Sequence, residues 1–512
     1  MPHTLTELAR WAHDLDLDAA PAAVQDRVRV QHVSLAGTLR QIGDRPEGRA
    51  IRKAGGSRGA ARMSTGATAP RRDAVRLHTG LPGLLAMEDQ LLLGHATGAG
   101  VATAWAAARG HTVGDLLRAT LAANEVAGRI GASLLLGGPS AQAQAAVSAA
   151  AAAVAAALLD GLDPDGIARA LALALQAPPA VSEPAVVGSG SARAQLRAAP
   201  AVHGVESAAL AGSGLAAPLD LLDGEAFYGG RTPEPLRAAF TGLGSAWLTG
   251  TLACKLLPAS TFVQTPVESV AEILRRHVKA ADKRLRPDQV EGIEVRVAAP
   301  AHRFDAAADS RLEPSAVPYS IPLAVGVLVV AQELTPDVLT SDWLSSNGDA
   351  VRAIAETVRV VHDPGRTALS VTPMLHALAP LFAGVSPLRL ARLLADAVPA
   401  AGAVRRPVAL DTLRRIHSAR PDRLLAAIGG ATPDLATARL GEFSLHTDTE
   451  VLLYTTRGGT WPERRTGPEG APGWSWHDTR ERVLARHGKG AGALALADAG
   501  EDAASWVDAL LD

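Results

Sequence analysis

Cysteine occurs once in the 512 residues, at Cys254. That scarcity excludes an intrachain disulfide, a cysteine-rich zinc site and an iron–sulfur cluster held by several thiolates of one chain. A reducing, cytoplasmic compartment is the expectation. Neither sign of charge is in excess: 50 Lys and Arg face 52 Asp and Glu, a formal net charge of -2. No field is present to recruit nucleic acid or an anionic membrane, so a ligand must be recognised locally. Long apolar runs are lacking too. The most hydrophobic stretch, Ala145 to Leu159, is short for a bilayer and built mainly of alanine, and it reads as a buried helix. The opening MPHTLTELARWAHDLDLD mixes charged and apolar residues at helical spacing and has no continuous apolar core, unlike a secretory signal. Also missing are a P-loop, a strand-associated GxGxxG, HExxH, GxSxG and an EF-hand loop. The Gly-Ser run VVGSGSARAQ at 186–195 has neither the Lys-Ser/Thr ending nor a preceding strand of a phosphate cradle, and it reads as a loop.

What the chain does have is length for two domains and ample core. Its first half carries helical signals, clearest in LTELARWAHDL, VQDRVRVQHVSLAGTLR, VGDLLRATLAANEVAGRIGASLL and DPDGIARALALALQ, where apolar residues recur three and four apart. Asp163-Pro164-Asp165 marks a helix start with a carboxylate at the positive end of the dipole. Near residue 266 the texture changes. VESVAEILRRHVKAADKR reads as a helix and VEGIEVRVAAP as a strand with Ile293, Val295 and Val297 on one face. LAVGVLVVAQEL is a further apolar segment, and EVLLYTTRGGTWPERR reads as two strands joined at Gly458-Gly459. From Asp478 onward the pattern is helical again. The fold class expected is mainly α: a large all-helical domain, 1–265 with a return at 466–512, plus a smaller α+β lid, 266–465. An insertion at about 364–442 holds amphipathic pieces, SPLRLARLLADAV and RPDRLLAAIGG, suited to scaffolding or an oligomer contact.

Several segments in order resemble one family. They are HATGAGVATAWAAARGHTVGDLLRATLAANEVAGRIGASL (95–134), VHGVESAALAGSGLAAPLDLLDGEAFYGG (202–230), CKLLPAS (254–260), then VEGIEVRV, PYSIPLAVGVLVV and VRVVHDP. Together they are similar to the MmgE/PrpD family, the group that includes 2-methylcitrate dehydratase and cis-aconitate decarboxylase. The resemblance runs over most of residues 1–365 and returns near 450–475. It implies a helical body, an α+β lid, an active site between them, a homodimer, and chemistry on small carboxylates without metal or organic cofactor.

Such chemistry needs a base at a carbon acid, cations for the carboxylates and an acid for the leaving atom. The resemblance carries these roles onto particular positions. Ala86-Met87-Glu88-Asp89-Gln90 stands where the family has its acidic cluster, and His95 is retained after it. Glu88 or Asp89 would orient His95; a capping or surface histidine is the competing reading. The family's next catalytic histidine falls near Gly137 and Gly138 and is missing. Its lysine before the His-Gly helix aligns with Arg193, which can hold a carboxylate but is poorly suited to release a proton. Lys255 and Pro258 match Lys-x-x-Pro, with Ser260 in place of a histidine. On the lid strand His302 replaces a tyrosine, and His203 matches a packing position. The expected catalytic residues are therefore His95, Lys255, His302 and Asp89, with Arg193, Ser260, Glu88 and Gln90 binding substrate and no metal. The expected activity is a cofactor-independent lyase, a dehydratase of a carboxylate or hydroxyacyl metabolite, in specialised metabolism given the substituted pocket. The alternatives are an isomerase, epimerase or decarboxylase, or a protein that binds or shapes its ligand without catalysing.

Overall fold

A computed structural model describes residues 2–56, 58–92, 94–95, 97–137, 141–179, 190–305, 312–386 and 432–512. The chain is mainly helical with a small mixed sheet. Its body is built from α1 (Thr4–Asp14), α2 (Ala22–Ile42), α3 (Pro46–Ala54), α4 (Arg71–Leu84), α5 (Thr97–Ala106), α6 (Val113–Ser133), α7 (Ala141–Leu159), α8 (Pro164–Gln176) and α9 (Arg193–Gly212). These starts follow local chemistry. Thr112 and Asp115 form a reciprocal capping box at α6, and Asp163 accepts from the Gly166 amide with Pro164 in the first turn of α8, each satisfying amides with no partner inside the helix. The alanine-rich helix α7 is the axis, touching α5, α6, α8 and α9. Small side chains permit that crowding. At Gly204 of α9 an added Cβ would lie 2.2 Å from the Ala149 carbonyl oxygen, so nothing larger fits there.

The remaining helices are α10 (Thr261–Ala281), α11 (Ala299–His302), α12 (Ile321–Ala331), α13 (Ser341–Thr357), α14 (Pro364–Ala377), α15 (Trp476–His487), α16 (Ala491–Ala495) and α17 (Ala503–Leu511). The apolar segment after Pro322 is thus helix α12. Four strands, β5 (Val290–Val297), β6 (Val358–His362), β7 (Thr449–Thr455) and β8 (Thr460–Arg465), form one sheet in the order β6-β5-β7-β8. The β5–β6 pair is parallel and the others antiparallel. Ile293, Val295 and Val297 are buried together, and the β7–β8 turn falls at Gly458, whose φ of 79° suits glycine. On the other face Arg296 reaches Glu294 and Glu450, and Arg366 reaches Glu450. Helix α10 packs on β7, β8 and α12.

Residues 1–265 are not wholly helical. Two short antiparallel ladders interrupt them: β1 (Ala61–Arg62) with β2 (Thr68–Ala69), and β3 (Gln90–Leu91) with β4 (Leu252–Ala253). One buried apolar cluster runs from Leu5 to Leu511 and takes in the sheet. A second joins Leu236 and Leu248 to Leu375, Phe382 and Phe443, anchoring the described flanks of the 364–442 segment on the body. The amphipathic pieces at 386–398 and 420–430 lie outside the described residues, save Ser386 itself, as does most of the Gly-Ser run; its Gly190 to Gln195 form a turn entering α9. No helix among the described residues is long and apolar enough to cross a membrane.

Candidate active site

The β3–β4 ladder brings the acidic segment beside the lysine segment across more than 160 positions of chain: Gln90 pairs with Ala253 and Leu91 with Leu252. Ala86 and Leu92, at φ 53° and 56°, bracket Glu88–Gln90 in a left-handed conformation that non-glycine residues adopt at a cost of about 1–2 kcal/mol each. Between them the two carboxyls, which line the same cavity, take different partners. Glu88 turns toward α9 and Asp89 toward Lys255.

On the Glu88 side, its Oε1 accepts from Arg197 Nε at 2.9 Å and lies 4.0 Å from His95 Nδ1. Burial disfavours the Glu88 carboxylate, but Arg197 and His95 outweigh it and hold its pKa below the usual value. Thr261 Oγ1 donates to Gln90 Oε1 at 2.7 Å, which turns the Gln90 amide nitrogen to His95 Nε2 at 3.1 Å. The neutral ring then keeps its proton on Nδ1. Burial, then Arg197, drive the His95 pKa down to about 3 against the pull of Glu88. Both His95 Nδ1 and Glu88 Oε2 are buried with no hydrogen-bond partner among the described residues. The guanidinium of Arg193 lies over the Tyr319 ring, 3.6 Å from its centroid.

On the other side Asp89 Oδ1 accepts from Ser34 Oγ and from the Lys255 amide, both at 3.0 Å. Burial raises the Asp89 pKa to about 6, with Arg486 the largest opposing influence. Lys255 donates from Nζ to the Ala259 carbonyl at 3.1 Å. Burial lowers its pKa to about 8 even though Glu88 and Asp89 both favour the ammonium. A cavity of about 20 Å³, room for one water, is lined by Glu88, Asp89, His95, Thr97 and Arg197 among others. A metabolite enters only if these walls part.

The structure therefore gathers Glu88, Asp89, Gln90, His95, Lys255 and Arg193 around one buried locus. Ser260 lies beside this group, between Ala259 and Thr261, which bond Lys255 and Gln90, and only His302 stands apart from it. Ser260 opens α10 with its amide bonded to the Pro318 carbonyl at 2.7 Å and its hydroxyl capping nothing. His302 does not end a strand; with Pro300 in its first turn the chain has already coiled into α11. The His302 ring faces His362, 6.3 Å between centroids, and among the described residues no hydrogen bond or ion pair ties it to the Glu88–Lys255 group. His203 sits within α9. Arg197 was missed, although it stands four residues after Arg193 and so on the same helix face. Tyr319 and Arg486 belong to the site too, and neither carries a local signal. No group of three or more metal-ligating side chains occurs among the described residues. No family model matches this sequence, and no characterised protein matches it significantly.

Proposed function

We propose that the protein is a cofactor-independent lyase of MmgE/PrpD type, a dehydratase acting on a carboxylate or hydroxyacyl metabolite. In this reading residues 1–265 and 466–512 form the body, 266–465 form the lid, and the working form is a cytoplasmic homodimer. One observation carries it: Lys255 and Asp89, both buried and with pKa values on either side of neutrality, meet through the Lys255 amide, and Asp89 lines a small cavity with Arg197 and His95. Buried groups with pKa values driven toward working pH are what proton transfer needs.

Arg193 and Arg197 would hold the substrate carboxylate, and the Nδ1–H of His95 would donate to an adjacent oxygen. Asp89, ionised above about pH 6, would take the proton from the carbon beside that carboxylate. The C–H pair forms the double bond, and the C–O bond breaks with its electrons on oxygen. The departing hydroxide takes a proton from the Lys255 ammonium and leaves as water. Proton exchange with solvent resets both groups.

Incubating the full chain with a panel of hydroxy di- and tricarboxylates and hydroxyacyl compounds in deuterated water tests this. The expected result is an unsaturated product with deuterium exchanged at the acidic carbon of the remaining substrate. Exchange without net product would make it an isomerase or epimerase, and loss of carbon dioxide a decarboxylase. Saturable binding with neither exchange nor product would overturn catalysis and leave the binding-only reading, which the narrow cavity also supports.

A further inference from the structure

A second, larger cavity of about 780 Å³ opens behind the site wall, between α2 and α15 on one side and α10 with the end of the β7–β8 hairpin on the other. Its volume lies within the range of small-molecule pockets, roughly 300–1,000 Å³. It is separate from the catalytic cavity but shares Met87 with it.

The two halves of its lining differ in chemistry. Leu256, Leu257, Leu334 and Trp474 supply an apolar face, with the Trp474 ring 39% exposed. Opposite, four guanidinium groups, Arg275, Arg465, Arg482 and Arg486, face three carboxyls, Glu268, Glu272 and Glu469. The excess is positive by one, and one of the four, Arg486, also answers Asp89 on the site side. The excess grows because Glu268 is buried beside Glu469, which pushes its pKa to about 8 and keeps it largely protonated at neutral pH. Arg275 and Arg482 are half exposed. Arg482 bonds Glu469 through one nitrogen, so its fork has donors to spare at the mouth, whereas Arg275 holds Glu272 through Nε and Nη2 and has Nη1 left to offer. A ligand that satisfies this lining must carry a negative head on an apolar body.

We propose that this cavity binds an amphipathic organic anion, its carboxylate received by Arg275 and Arg482 at the mouth and its apolar body laid against Trp474 and Leu257. The site does not depend on the lyase reading, and its readout is binding, not turnover.

The probe is decanoate, added to the full chain against 8-anilinonaphthalene-1-sulfonate fluorescence, with decanol and decyltrimethylammonium as charge controls. Decanoate should displace the dye at least tenfold more tightly than decanol, and decyltrimethylammonium should not compete. Raising salt should weaken decanoate and leave decanol unchanged. The double substitution Arg275→Gln and Arg482→Gln should erase the preference for decanoate, and Trp474→Ala should weaken both decanoate and decanol. Equal displacement by decanoate and decanol in the unmodified protein would overturn the proposal without recourse to any variant. So would a folded double variant, judged by circular dichroism, that keeps the full preference.

Discussion

At the scale of the residue, the cavity is controlled by which of its charges are paired. Asp89 and Lys255 titrate at about 6 and about 8, so if Asp89 is the base and Lys255 the acid, kcat/KM should trace a bell. Activity rises as Asp89 loses its proton and falls as Lys255 loses its own, and the two limbs belong to the coupled pair. Asp89→Asn should lower kcat by about 10²–10⁴ and remove the acid limb from the residual rate; a persisting limb at about 6 would assign it to another group. Arg197 is tested through its partner. Removing it by Arg197→Met leaves Glu88 a buried carboxylate without its nearest cation, at a cost of about 3–5 kcal/mol. The Glu88 pKa, held low in the parent, would then be raised, so the penalty is full above the new pKa and shrinks as pH falls through it. Urea unfolding of parent and variant at pH 7 and pH 5 checks this: the gap should narrow at pH 5, and an unchanged gap would mean that Glu88 is stabilised by something other than Arg197.

At the scale of the element, what fixes the site is the segment leading into β4. Glu125 and Arg129, one turn apart on α6, are both fully buried and 2.5 Å apart. Glu125 accepts from the Leu248 amide and from the amide and hydroxyl of Thr249, while Arg129 donates to the Gly242 and Ala246 carbonyls. This pair clamps residues 242–249 onto the body and so sets where β4 meets β3. Glu125→Gln should destabilise the fold by about 3–5 kcal/mol, since it leaves the Arg129 charge buried and unpaired. Amide exchange at Leu252 and Gln90 should accelerate at least tenfold relative to α7, and equal acceleration everywhere would mean general loosening instead. The same ladder explains what sequence could and could not reveal. Helices α1, α2, α6 and α8, the buried face of β5 and the hairpin at Gly458 are legible because period, caps and turn residues are local. A two-residue pairing between Gln90 and Ala253 has no period to detect. His95, Glu88 and Lys255 were therefore legible as residues, but the division of partners between Glu88 and Asp89 was not, nor was the coil at Pro300 that carries His302 toward His362.

At the scale of the whole molecule, folding buries ionisable groups with opposite responses to pH. His32 accepts from Trp105 Nε1 at 2.8 Å and shares a hydrogen bond with Thr120 Oγ1 at 3.0 Å, while His78 Nε2 accepts from the Ser64 amide at 3.0 Å. Both rings are held neutral, and burial drives both pKa values to about 3. Their stabilisation is present above about 6.5 and is lost as pH falls toward 3, because the unfolded chain takes up those protons first. Glu268, raised to about 8, has the reverse sign: its contribution is present below about 4.5 and is lost as pH rises through 8. Between 4.5 and 6.5 the histidines, with His95 as a third of the same sign, outnumber the two raised carboxyls, Glu268 and Asp89, so stability should fall on acidification there. Between 7 and 8 the histidine contribution is constant and Glu268 sets the slope, so stability should fall again toward 8, above which the lowered Lys255 acts with the opposite sign. Thermal unfolding from pH 4 to 8 should therefore show a maximum near neutrality. Replacing Glu268 by Gln, which stays neutral at every pH, should flatten the alkaline side while sparing the acid side; a variant with the parent's alkaline slope would move that effect to a different group.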